Sequence, residues 1–338
     1  MTKGRTIALL LVAVGACMAS PAQGTPSIPD PVQFELDVPD APASAAAHGR
    51  RTLTGTVRTG RHFNVVGLRW QGDAVESLSV RVRSRHRWGR WTDVPVEPEH
   101  GPDVGTGEPE AAGRGSDPVW AGEANAVRYR LRGDGRIRDL RFSFVNTEGT
   151  ATAAGRRRGT ARASIARPIV PAPGVPPIVT RDEWGASKCP PRATPAYGQV
   201  QLAFVHHTVT ANDYAPTDSA AMVRAVCIYH RNSNGWNDIG YNLLVDKYGQ
   251  VFEGRAGGID APVVGAQAQG YNAQSTGIAN LGTFSTIGQT TAGLDALARI
   301  VSWKLAVHGV PPTGQVQVVS TGVPAGVASR PDSTAFEP

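Results

Sequence analysis

The sequence predicts two domains, an all-β, sandwich-like one over residues 32–148 and a mixed α/β one over residues 178–322. Three observations carry this. Up to Phe144, short segments alternate apolar and polar with period two and show no helical period. After Ile178, apolar strands are interleaved with segments of helical period. Between the two, residues 149–177 are rich in Ala, Arg and Pro without any apolar period, which reads as a linker. A chain of 338 residues is long enough for a core in each half.

In chain order, the first element is an export signal over residues 1–22. Lys3 and Arg5 precede an apolar run at residues 7–16, and the small residues Ala19, Ser20 and Ala22 suit cleavage after Ala22. Val14-Gly15-Ala16-Cys17 offers a lipoprotein alternative at Cys17. The run is shorter than the roughly 20 apolar residues that span a bilayer, and no other segment qualifies, so no membrane span is expected. Residues 23–31 are a loose linker. The net charge of +6 is scattered or sits in linkers, without the basic stripe and interleaved aromatics of a nucleic-acid binder. A polyanionic surface such as a cell wall is an equally good partner for such a charge, and the expected protein is a secreted or wall-associated monomer.

Residues 34–38, 78–83, 127–132 and 140–144 alternate as strands with one solvated face, which argues for antiparallel sheets. Residues 101–118, rich in Gly, Pro and acids, read as a long loop. Trp88, Trp91 and Trp120 read as core residues rather than sugar platforms. In the second domain, residues 200–205 form an apolar strand. Met222, Val223, Val226 and Tyr229 give residues 219–231 a helical face, with Asp218 as N-cap. Residues 241–245 and 251–253 are strands of a hairpin turning at 247–250, and 276–284 is a buried strand. Leu294, Leu297, Ile300, Val301, Lys304, Leu305 and His308 mark a final helix, ended by Gly309 and kept short by Pro311 and Pro312. Removing the signal leaves Cys189 and Cys227, an even pair that suggests a disulfide worth roughly 3–4 kcal/mol. Two buried thiols are the alternative, as is a metal site from Cys227 and His230, which share a helix face.

His206 ends an apolar strand, where a side chain can line a cleft. Its neighbour His207 points to the other face, so only one of the two serves a given site. Further motifs accompany them: Arg181-Asp182-Glu183-Trp184-Gly185-Ala186, His206-His207-Thr208, Tyr229-His230, Trp236-Asn237-Asp238-Ile239-Gly240-Tyr241-Asn242, Glu253-Gly254-Arg255, Gly265-Ala266, Gly270-Tyr271-Asn272 and Ser275-Thr276-Gly277-Ile278. In this order and spacing, residues 179–309 resemble the peptidoglycan recognition protein and type-2 N-acetylmuramoyl-L-alanine amidase family. The N-terminal sheet domain resembles, more weakly, the accessory domain that precedes this module in secreted bacterial relatives.

The resemblance implies an α/β amidase domain with a mixed central sheet flanked by helices. It implies hydrolysis of the N-acetylmuramoyl-L-alanine amide of peptidoglycan at a Zn2+ ion held by two His and one Cys, with water in the open position. Carried over by position, His206 is the first zinc ligand and Tyr241 donates to the oxyanion. Thr208, His230, Gln267 and Asn272 contact the substrate. Each has a plainer reading: Thr208 finishes a strand, His230 caps a helix end and Asn272 serves a turn. Gln267 stands where the family usually has His and cannot shuttle a proton. Glu253 and Arg255 read as a structural hairpin pair.

The resemblance fades after residue 322, and beyond His308 the sequence offers neither His nor Cys. The domain is thus C-terminally incomplete, and residues 323–338 form a non-family tail. A truncation or frame change near Gly322 is the first reading. A non-catalytic wall binder is the second, and zinc completed by His207, His308 or Cys227 the third. His308 lies on the core face of its helix, where burial is its default. One ligand holds zinc poorly, so the expected chain binds little Zn2+ and cleaves no peptidoglycan.

Overall fold

The computed structural model describes residues 28–38, 51–72, 75–96, 100–108, 114–133, 137–158 and 174–321. The export signal, Cys17, the tail from residue 323 and residues 159–173 of the linker lie outside the described residues.

The first domain is one antiparallel sheet. Its strands are β1 (Val32–Asp37), β2 (Arg51–Gly72), β3 (Val75–Ser84), β4 (Arg87–Trp88), β5 (Thr92–Val94), β6 (Arg114–Gly115), β7 (Val119–Gly133) and β8 (Ile137–Asn146). They run in the order β1-β8-β2-β7-β3-β4, with β5 beside β3 and β6 beside β2. The first part of β2 pairs with β7, and from Val65 it also pairs with β8, with register shifts between Arg58 and Phe63. Such irregularities bend a strand. Both arms of β2 therefore border one core, in which Phe63, Leu68 and Trp70 meet Leu78, Val80, Leu131, Phe142 and Phe144. Of the three tryptophans read as core, only Trp120 is fully so, at 3% exposure. Trp88 and Trp91 lie partly buried on the outer face, under Arg128 at 4.4 Å and Arg130 at 4.0 Å from the ring centres. The segment read as a linker starts ordered. The Asn146 side chain receives the Thr150 N–H and donates to the Thr150 hydroxyl, leading into α1 (Ala153–Arg158).

The second domain contains β9 (Ile178–Val179), α2 (Arg181–Trp184), β10 (Leu202–His207), α3 (Ser219–Ile228), β11 (Leu243–Val245), β12 (Val251–Glu253), β13 (Ser275–Asn280) and α4 (Thr291–Val307). Its sheet order is β10-β13-β11-β12-β9, parallel except where β11 meets β12. The period of two explains the layering. Leu243, Val245 and Ile278 pack on Ala296 and Ile300 of α4. Leu244, Phe252 and Ala279 pack on Met222, Val223 and Val226 of α3, on the other face. This is the mixed, helix-flanked sheet that the resemblance implied.

Local boundaries differ from the sequence reading. Strand β13 stops at Asn280, and β11 starts at Leu243, so Tyr241 sits just ahead of its strand. Helix α3 stops at Ile228 and continues as a π-helical turn over Tyr229–Ser233. Asp218 does not cap it with its side chain; the carboxylate accepts the Ala215 N–H instead. Gly309 ends the last helix as expected, at φ 68°. Cys189 and Cys227 form the disulfide, which removes both thiol alternatives, Cys227 as a metal ligand included. No helix among the described residues is long and apolar enough to cross a membrane.

The two domains share a core. Val65, Trp120 and Val145 join the cluster around α3. Tyr229 crosses the boundary and donates from its hydroxyl to the Ser116 carbonyl at 3.2 Å. Its ring lies where a side chain on Gly67 would sit, so that position admits only glycine without displacement. Arg224 donates to the carbonyls of Trp184 (2.7 Å) and Thr147 (3.3 Å), one from each domain, and burial pulls its pKa down to about 10.

Glu148 lies at the same boundary, accepting from the Asn64 amide at 2.7 Å. Burial, with Asp218 and Glu123 nearby, raises its pKa from 4.5 to about 7. The folded chain thus holds a proton that the unfolded chain has lost, so stability falls as pH rises from 4.5 to about 7. The Glu148→Gln variant is expected to flatten this slope, which melting temperatures measured across that window would register.

Candidate active site

Strand β10 is the edge strand of its sheet and delivers His206 and His207 at its carboxyl end. The His206 ring centre lies 6.1 Å from that of Tyr241, and the His230 ring centre lies 5.6 Å from that of Tyr241. Trp236 closes against His230 at 4.6 Å. The structure thus brings together His206, Tyr241 and His230 from a strand end, a loop and a π-helical turn. His230 accepts the Gly240 N–H on Nδ1 at 3.1 Å, which leaves its proton on Nε2. Burial pulls the pKa values of His206 and His230 down to about 3, and burial pushes the Tyr241 hydroxyl well up. At neutral pH the cluster consists of neutral imidazoles and a protonated phenol.

The other wall of the site comes from the first domain, through the segment read only as a long loop. His100 places Nε2 3.3 Å from His206 Nδ1, and its Nδ1 faces Asp117 Oδ1 at 3.2 Å. Burial raises the Asp117 pKa, but His100, His230 and His206 together outweigh it and the net shift is downward. Asp103, 2% exposed, accepts the N–H groups of Gly270 (2.7 Å) and Ala273 (3.3 Å) and the Asn272 amide (2.6 Å). Glu108 takes the Arg255 guanidinium with both oxygens, at 2.7 and 2.9 Å. Arg255 is therefore an interdomain anchor and not the partner of Glu253, which accepts the Arg181 N–H at 3.0 Å. A pocket of about 420 Å³ lies beside His100, Asp117, His206 and His207. Both consecutive histidines border it, contrary to the one-face expectation, because the pocket wraps the end of an edge strand. His207 also accepts the Phe284 N–H at 3.1 Å.

The remaining sequence candidates are buried in polar networks. The Thr208 hydroxyl meets that of Thr210 at 3.0 Å and accepts the Gly282 N–H, finishing the strand. Gln267, 0% exposed, donates to Ser275 at 3.1 Å and leaves Oε1 without a partner. Asn272 accepts the N–H groups of Gln267 and Ala268, and its amide turns to Gly101 and Asp103 of the other domain. His308 is half-buried and is not among the residues that line the pocket.

The chain is similar to known proteins over both of its halves. Residues 196–331 match the family described as Amidase_2, N-acetylmuramoyl-L-alanine amidase. Residues 21–162 match the Rv3811 N-terminal galactose-binding domain-like family. Peptidoglycan-recognition protein SC2 of Drosophila melanogaster is 36% identical over 153 residues, which are 44% of this chain and 79% of that protein. The chain belongs to the peptidoglycan-recognition and type-2 amidase family. The human N-acetylmuramoyl-L-alanine amidase is 37% identical over 127 residues, 36% of this chain and 21% of that protein. Among solved structures, the LCa/LCx peptidoglycan recognition complex with tracheal cytotoxin matches at 29% identity and a TM-score of 0.37, covering 41% of this chain and 81% of that one.

Family membership invites the test of whether the residues present fit a zinc ion. Among the described residues, no group of two His and one Cys is assembled around His206; the one three-residue group that could hold a metal is Cys189, Cys227 and Asp238. Cys227 is consumed by the disulfide, so the group of Cys189, Cys227 and Asp238 offers no thiolate. The motif around Asp238 is structural, because its carboxylate pairs with Arg181 at 3.1 Å.

Proposed function

We propose that the protein recognises peptidoglycan in the bacterial cell wall, after export, through the groove that His206 and His207 border, with Tyr241 buried beside His206 and His230 buried beside Tyr241. We further propose that the chain of this sequence does not cleave the N-acetylmuramoyl-L-alanine amide that its family hydrolyses. The observation that carries the reading is that Tyr241 has His206 and His230 beside it, at 6.1 and 5.6 Å between ring centres, at the end of an edge strand. The imidazoles of His206 and His207, which line the pocket, suit hydrogen bonding to the amides and sugar hydroxyls of a wall fragment. The roles of Thr208, Gln267 and Asn272 in this reading are indirect. Their networks hold the loops on which the groove rests, while the Asn272 amide faces the loop of the other domain. Hydrolysis would need an activated water, and His206 alone of the family's ligands does not hold a metal with a defined open position.

A sedimentation assay with insoluble peptidoglycan, run beside a wall-digestion assay with and without added Zn2+, tests both parts. The protein is expected to sediment with the wall and to release no stem peptide. Failure to sediment would sink the recognition reading, and release of stem peptide would sink the second.

A further inference from the structure

Along the chain the positive charge is scattered, but the first sheet gathers six arginines onto one face: Arg58, Arg81, Arg83, Arg128, Arg130 and Arg132. We propose that this face, built on β2, β7 and β3 beside Trp88 and Trp91, binds an anionic wall polymer whose charge is carried by phosphodiesters. The inference goes beyond recognition at the His206 groove and shares with it only the location at the wall.

The pleat gathers the charge. Residues directly opposite one another in an antiparallel ladder share a face, and faces alternate along each strand. Leu53, Leu131 and Leu78 form one row across the three strands and belong to the core, as do Val57, Val127 and Val82. The rows between them point away from it. They consist of Thr52, Arg132 and Ser77, of Thr54, Arg130 and Ser79, and of Thr56, Arg128 and Arg81. Arg58 and Arg83 flank Ala126 in the next row. Arg58, Arg130 and Arg132 are exposed, and the other three are partly buried. Arg128, Arg130 and Arg132 thus follow one another along β7 at about 6.8 Å, a spacing that one extended chain can track.

Neighbouring side chains leave most of this charge in place. On β8, Arg141 is held by Glu35 at 3.1 Å and Asp37 at 2.8 Å. The arginines of the outer rows meet neutral groups instead. Arg128 Nε donates to the Thr56 hydroxyl at 3.2 Å, and Arg83 Nε to the Asn125 side-chain oxygen at 3.0 Å. Arg81 Nε is buried and has no hydrogen-bond partner. Asp93, opposite Ser79, accepts that serine's hydroxyl at 2.6 Å, and Glu76 reaches Arg132 at 3.9 Å. Like charges side by side on a sheet repel, and an anionic ligand removes that cost.

The tryptophans decide the kind of anion. The guanidinium carbons of Arg128 and Arg81 lie 4.4 and 5.6 Å from the Trp88 ring centre, and those of Arg130 and Arg81 lie 4.0 and 4.8 Å from that of Trp91. Such contacts hold a guanidinium while its N–H edge remains able to donate, and that forked edge matches phosphate oxygens. The rings are partly buried and engaged with arginine, so they are not open platforms for stacked bases. Phosphate recognition without base stacking fits a flexible wall polymer better than a nucleic acid.

The test is sedimentation of the full chain with intact cell wall and with wall stripped of phosphodiester-linked polymer by hydrofluoric acid. The groove alone predicts equal binding to both. The arginine face predicts tighter binding to the intact wall, falling at least about tenfold between about 50 and about 200 mM salt. Arg128→Gln/Arg130→Gln is expected to weaken binding to the intact wall at least about tenfold and to flatten the salt slope by about one to two. It should leave binding to the stripped wall unchanged. Arg156→Gln/Arg157→Gln, the same charge change away from this face, should match wild type on both. Circular dichroism reports folding, and Arg130→Gln alone, at an exposed position, decides the matter should the double variant fail to fold. In competition at equal phosphate, a synthetic glycerol-phosphate polymer is expected to release the protein from intact wall more readily than double-stranded DNA or phosphatidylglycerol vesicles. The proposal is overturned by equal wild-type binding to intact and stripped wall, by a folded face variant that binds like wild type, or by stronger competition from DNA or vesicles. Loss of binding to stripped wall alone would count against the groove and not against this face.

Discussion

Alanine at position 103 is expected to lower the stability of the folded chain by about 2–4 kcal/mol. Asp103 is 2% exposed and its partner Asn272 is 0% exposed, so water does not replace the lost carboxylate without rearrangement. The variant strips acceptors from the Gly270 and Ala273 N–H groups and the Asn272 amide, and each buried donor left unpaired costs about 1–3 kcal/mol. Some of this is recovered as the loop moves and water enters, hence the range. The loss should be accompanied by a gain of proteolytic cleavage in residues 100–108, because the segment is anchored there. Denaturant unfolding of wild type and variant measures the first effect, and limited proteolysis the second. A difference below about 0.5 kcal/mol, the level of an ordinary surface substitution, would mean that Asp103 does not hold the domains together.

The double variant Cys189→Ala/Cys227→Ala is expected to lose about 4 kcal/mol. The bond spans a sequence separation of 38, and closing a loop of that length removes about 4 kcal/mol of chain entropy from the unfolded state. Both cysteines are 0% exposed, and Cys227 sits in α3 within the core that the two domains share. The loss should therefore reach the interdomain boundary as well as the second domain. The decisive measurement compares denaturant midpoints of the oxidised wild type and the variant. Equal midpoints would show that the bond adds nothing to native stability.

Much of the second domain was legible because its signals are local. The apolar period over α4 and its stop at Gly309 follow from backbone geometry that a few neighbouring residues decide. The hairpin turn was legible for the same reason; Asp246 accepts the N–H groups of Tyr248 and Gln250, all within four residues. The boundaries that slipped are those set by distant neighbours. Strand β13 stops at Asn280, where its pairing with β10 and β11 ends, and α3 gives way to a π turn that seats Tyr229 against Gly67. The short strands of the first domain were legible from alternation, but not that β2 bends and serves both arms of one sheet.

The site divides along the same line. His206, Tyr241 and His230 could be named because their motifs lie in short, ordered stretches of sequence. His100, Asp103, Glu108 and Asp117 could not. Their only trace was an acid-rich loop in a basic chain, and an acidic side chain carries no label of the partner it will meet.

The order of strands and helices and the motifs that place the chain in its family were determined by the sequence itself, since each rests on periodicity or on chemistry among near neighbours; the pairing of Cys189 with Cys227 was legible only because they are an even pair. The tertiary structure alone decided what faces His206. Contacts such as Glu108 to Arg255, 147 residues apart, arise only when two cores dock, and docking depends on shape and burial that no local pattern encodes.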